Sequence, residues 1–134
     1  MQFLNLVIAK EAQEDPVSRA LNLFGLSEQA YYVLELPGHV DLEVAFQVLW
    51  EPTDIGNKFE FSIELLSEDG GRSIPLTPVT PTASDQSTPL GYLEWFHVPI
   101  QLGVANEGHF PIQVHDSSGK VLSSTMASVR KLAS

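Results

Sequence analysis

Apolar and polar residues alternate along much of this chain. In "VDLEVAFQVLW", Val40, Leu42, Val44, Phe46, Val48 and Trp50 recur at every second position, against Asp41, Glu43, Ala45 and Gln47. A period of two places the first set on one face of a strand and the second on the other. The segment therefore predicts an antiparallel strand with one face on a core and one in water. After the turn formers of "EPTDIGN", "FEFSIELL" alternates again, with Phe59, Phe61, Ile63 and Leu65 on one side. Two such strands joined by a short polar loop make a hairpin or a corner between sheets. In "LGYLEWFHVPIQL", Tyr92, Phe96, Val98, Ile100 and Leu102 share a face interrupted by Glu94, and Leu93, Trp95 and His97 take the other. Phe110, Ile112 and Val114 begin a further strand, and "VLSSTMASVRKL" the last.

The breaks between these segments are informative. "SIPLTPVTPTASDQSTP" carries Pro75, Pro78, Pro81 and Pro89. Proline lacks the N–H that a central strand donates, so this stretch predicts an edge strand or a loop. The three-residue spacing of Pro75, Pro78 and Pro81 also matches polyproline II, a second reading as a docking peptide. Two reversals echo each other, "SEDGGR" (67–72) and "DSSGK" (116–120). Both offer an Asp or Ser to bond the backbone ahead and a Gly for positive φ, so Gly70 or Gly71 and Gly119 are expected in the left-handed region. Around residues 15–25 the signals divide. Asp15-Pro16 followed by "VSRALNLFG" has the N-cap, first-turn proline and glycine stop of a short helix, yet "ALNLFGL" also alternates. "SEQAYYVLEL" is divided in the same way.

About eight short strands between turn signals predict an all-β fold, an antiparallel β-sandwich of 7–9 strands, immunoglobulin-like in general architecture. The chain also resembles a bacterial family of small β-sandwich domains of unknown function. The residues that carry the resemblance are "RALNLFGL" (19–26), "DLEVAFQVLW", "FEFSIELLSEDGGR" and "GHFPIQVHDSSGKVLSS". It implies that 19–25 is a strand rather than a helix, and it brings no catalytic motif.

Length and charge narrow the picture. The 134 residues suit one domain, 1–134, large enough for an ordinary core. There is no cysteine, which excludes disulfides, thiolate nucleophiles and cysteine-ligated metals. The 17 acidic and 7 basic residues give a net charge of −10, and the cations are scattered. Nucleic acid and anionic membrane surfaces are therefore not expected partners. The apolar start "MQFLNLVIAKEAQED" has no basic flank and is too short to span a bilayer, so a cytoplasmic protein is expected.

Candidate chemistry is sparse. Glu68, Asp69 and Asp116 offer oxygens for calcium, but without the spacing of a known calcium loop. His39, His97, His109 and His115 are the available imidazoles; His97 and His115, with Glu94, would meet as a zinc site if their strands paired. A histidine on a sheet surface ordinarily holds no ligand. No G-x-S-x-G elbow or phosphate-binding glycine loop occurs. The aromatic residues Tyr92, Trp95 and Trp50 remain, with Trp95 beside Leu93 and His97 on the face opposite Tyr92 and Phe96; if the strand is covered on both sides, Trp95 is packing, the more frequent outcome. An exposed apolar patch there would suit a partner, a sugar ring or a second subunit.

The sequence thus points to a non-enzymatic protein-binding or assembly module without a cofactor, whose partner is a protein or a second copy. The alternative is a small-ligand or carbohydrate binder, with or without a metal, built from Trp95, Tyr92, His97 or Trp50.

Overall fold

The structure, a computed structural model, describes residues 1–18, 20–26, 30–66, 73–83 and 91–132. Among these it is all-β, with ten strands rather than the seven to nine expected: β1 (Gln2–Ala9), β2 (Glu11–Glu14), β3 (Leu21–Phe24), β4 (Tyr31–Val33), β5 (Gly38–Trp50), β6 (Phe61–Leu66), β7 (Ser73–Val79), β8 (Tyr92–Val104), β9 (Gly108–Asp116) and β10 (Val121–Lys131). Leu21–Phe24 is the strand that the resemblance implied at 19–25. The strands not expected are β1, whose apolar run was read only as too short for a bilayer, and β2, whose four residues are too few to show a period in sequence. One sheet has the order β1-β5-β8, a second β4-β10-β9-β6-β7, and β2-β3 form a separate ribbon. All pairs are antiparallel except β4 with β10.

The two larger sheets pack face to face through the side chains that the alternation selected. Leu42, Val44, Phe46, Val48 and Trp50 of β5 are buried against Phe61 and Ile63 of β6, Ile112 and Val114 of β9, and Ala127 and Val129 of β10. Phe46 stacks between Phe3 and Phe96, at ring separations of 4.9 and 5.5 Å. Burying a branched or aromatic side chain contributes about 1.5–3 kcal/mol, so this apolar layer is the main driving force. The even-numbered residues of β5 and β8 face it throughout, in one unbroken register from Gly38↔Val104 to Trp50↔Tyr92.

The divided stretch at 15–25 resolves as a turn and a strand. The Asp15 carboxylate accepts from the N–H groups of Val17 and Ser18, at 2.8 and 3.0 Å. It does what a helix N-cap would do, but for a single turn. Leu21–Phe24 then pairs with Glu11–Glu14, and strand pairing wins over the local helix signal. The buried Tyr31 hydroxyl donates to the Gly25 carbonyl at 3.0 Å, with the Ile8 carbonyl at 3.3 Å, tying the ribbon's end to β1.

The proline segment forms β7, which among the described residues pairs with β6 alone, at the sheet's edge; Pro75 and Pro78 lie in that ladder rather than in a polyproline helix. Asp116 closes the β9–β10 reversal by accepting from the N–H groups of Ser118 and Lys120, and Gly119 has φ +87°. The companion turn with Gly70 and Gly71, and with it Glu68 and Asp69, lies outside the described residues.

One charge is covered by the fold. The Asp54 carboxylate, in the short 3-10 turn Pro52–Asp54, pairs with the Met1 ammonium at 2.9 Å and accepts from the Glu51 N–H at 2.8 Å. Burial pushes its pKa up, but the Glu51 hydrogen bond and the Met1 ammonium outweigh this and hold it below the ordinary value. A folded-state pKa below the unfolded one means stability that is present above about pH 4 and lost as pH falls through the folded value. Asp54→Asn is expected to lose about 1–2 kcal/mol at pH 7. Urea unfolding of both proteins between pH 2 and 7 should show a smaller acid-dependent loss in the variant.

Candidate functional site

The site is built on the outer face of the β1-β5-β8 sheet, the side turned away from the core. The register sets its rows. Gln2, Leu49 and Leu93 stand side by side across the three strands; the next row is Leu4, Gln47 and Trp95, and the next Val7, Ala45 and His97. Leu93 is 55% exposed and Trp95 38%, while Leu4 and Leu49 are half-buried beside them. Polar side chains tie the rows together. Asn5, at a bulge in β1 with φ +46°, donates to Gln47 Oε1 at 3.0 Å. His97 Nδ1 lies 3.3 Å from Glu43 Oε2.

The outer face is covered only in part. Ala45 is fully buried although it points away from the core. Glu14, Ser18, Ala20 and Leu21, from the β2-β3 ribbon and its turn, form one wall of an open cleft of about 620 Å³ whose other wall is Tyr92–His97.

Each aromatic candidate has a distinct place. Trp95 is on the outer face, at the cleft. Tyr92 faces the core side, half-buried at the end of β8. Trp50 is not at the surface: it is 0% exposed, and its indole N–H donates to Glu94 Oε1 at 2.9 Å. Its position on the inner face of β5 makes it core, and this corrects its reading as a binding residue. The same bond explains why Glu94 can interrupt an otherwise apolar face.

The histidines do not converge. β8 and β9 belong to different sheets, so His97 and His115 lie apart, and the zinc geometry that required their strands to pair does not arise. His115 Nδ1 lies 2.7 Å from Glu64 Oε2, and His109 Nδ1 lies 2.6 Å from Ser128 Oγ. Among the described residues no group of three or more His, Asp or Glu side chains is placed to hold a metal ion. No helix among them is long and apolar enough to cross a membrane.

The sequence reasoning found Trp95, Leu93 and His97 but not Leu4, Leu49 or the ribbon wall. Leu49 was legible as a break in the polar set of β5. Leu4 was hidden by the bulge at Asn5, which shifts the period of β1 by one residue.

No protein-family model matches the sequence, and no curated protein matches it. Among solved structures, it is similar to the Pseudomonas fluorescens alkylpurine DNA glycosylase AlkC, bound to DNA containing an abasic site analog. The identity is 10% and the TM-score 0.46, over 96% of this chain and 30% of that one. A likeness at this level assigns nothing to the chain.

The two tryptophans should be separable in solution. Acrylamide should quench one emission component strongly and leave a blue-shifted one almost untouched. Trp95→Phe should remove the quenchable component. Equal quenching in the wild type and the variant would contradict this placement of the two indoles.

Proposed function

We propose that this chain is a non-enzymatic protein-binding module with an immunoglobulin-like strand arrangement, and that it binds through the outer face of the β1-β5-β8 sheet. The observation that carries the reading is the position of Leu93 and Trp95, flanked by Leu49 and Leu4, on a face that the sandwich core does not use. An exposed apolar patch that includes a tryptophan has the composition of an interface hot spot. The strand orders, with a parallel β4-β10 pair at the edge of the second sheet, support the immunoglobulin-like arrangement.

Charge favours a different protein over a second copy. Each chain carries −10, so two copies repel, whereas a basic partner is attracted and steered. The histidine–carboxylate pairs sit on sheet surfaces and supply neither an activated nucleophile nor an oxyanion site, which favours binding over catalysis.

A second reading, a small-ligand or carbohydrate site, is favoured by the cleft. Its volume lies within the roughly 300–1,000 Å³ of ligand pockets, and Trp95 with the His97–Glu43 pair offers a stacking face beside hydrogen-bonding groups.

Leu93→Asp separates function from folding. An exposed position should change stability by no more than about 0.5 kcal/mol. Wild-type bait should capture a protein from native extract that Leu93→Asp and Trp95→Ala baits do not. Capture by all three alike would refute the outer-face reading. Binding of a sugar or small molecule that is lost in Trp95→Ala, with no protein captured, would favour the second.

A further inference from the structure

We propose that the open edge of β8 receives an extended basic segment of the partner as an added strand. This rests on the protein-binding reading and names the partner's form and charge. The observation is the shape of the cleft. One wall is the consecutive run Tyr92–His97. Side chains of a strand alternate between faces, so six consecutive residues border one cleft only where it follows the strand's edge. Among the described residues β8 pairs with β5 alone.

Pro99 fixes which backbone groups face that edge. A proline within a sheet sits where its missing N–H would have pointed outward, not into the ladder. Pro99 stands opposite Glu43. N–H and C=O of one residue point to the same side and alternate along the strand. Leu93, Trp95 and His97 therefore direct theirs to the open edge, while Glu94, Phe96 and Val98 bond to β5. The Trp50 carbonyl agrees, because it lies against Gly91 and so faces the β8 side. Pro99 ends the usable edge, leaving the part that borders the cleft.

Among the described residues, the other edges of the two larger sheets are blunted, as exposed edges commonly are. β7 carries Pro75 and Pro78, β4 has three residues, and β1 is broken by the bulge at Asn5. The first half of β8 is the exception. Its charged neighbours along the cleft, among the described residues, are Glu14 and Glu94, both acidic. The chain as a whole carries −10, which attracts an added strand alternating basic and apolar residues; its apolar side chains would lie on Leu93 and Trp95. Backbone bonds supply affinity in this mode, and alternate side chains supply selectivity.

The test uses the full chain, isotopically labelled, and a blocked peptide alternating Lys and Val. Amide hydrogen exchange at Leu93, Trp95 and His97 should slow by about tenfold or more at saturating peptide. A peptide alternating Glu and Val should give no protection. Leu93→Pro, which deletes one outward N–H, should abolish the effect, and Gln101→Pro, at an exposed odd-numbered position beyond Pro99 and outside the proposed edge, should not. Unchanged exchange at the three amides at millimolar Lys–Val peptide would overturn the proposal. A shift in Trp95 fluorescence without protection would also overturn it, while leaving outer-face binding intact. Equal protection by the Glu–Val peptide would overturn the basic partner.

Discussion

The ladder between β5 and β8 is the constraint on which the rest of this structure depends. Thirteen residue pairs run from Gly38↔Val104 to Trp50↔Tyr92 without a slip. A shift of one residue would exchange the two faces of either strand. Phe46, Val48 and Trp50 would leave the core, and Gln47 and Leu49 would enter it. The same register that buries Trp50 therefore exposes Trp95 and Leu93. Core and surface patch are two consequences of one pairing.

What surrounds the ladder refines it. On the core side, Glu94 could have been a flaw, a carboxylate on an apolar face. It is used instead as the acceptor for the buried Trp50 N–H, which would otherwise be unsatisfied. On the outer side, Glu14 and Leu21 of the β2-β3 ribbon, with Ser18 and Ala20 of its turn, stand across the cleft from Tyr92–His97. At the chain's start, the Met1 ammonium and Asp54 neutralise each other where the fold covers both.

Most of the architecture was legible in the sequence wherever a strand was long and half-buried. In β5 and β8 the alternation named the core residues almost one by one, and the prolines of β7 announced an edge. The short strands were less legible: local signals left 15–25 divided, and only the resemblance implied the strand found at Leu21–Phe24. Asp15-Pro16 carries a real capping signal, but the pairing of Leu21–Phe24 with Glu11–Glu14 is a tertiary fact that no local window contains. For the site, Trp95, Leu93 and His97 could be placed on the non-core face, because period two requires it. Trp50 could not be separated from them by type alone, although its own alternation in β5 already put it with Val48 and Phe46. The separation of His97 from His115 depended on which sheet each strand joins, and that is set by chain path rather than by pattern.

The central claim is that β8 bonds inward through one set of backbone groups and presents the other to an edge, beside Trp95, that is unpaired among the described residues. Residue-resolved amide exchange of the free chain addresses this directly. Glu94, Phe96 and Val98 should exchange slowly, near the rate set by global unfolding, and Leu93, Trp95 and His97 far faster. Uniform protection along 93–98, or the opposite alternation, would contradict the account.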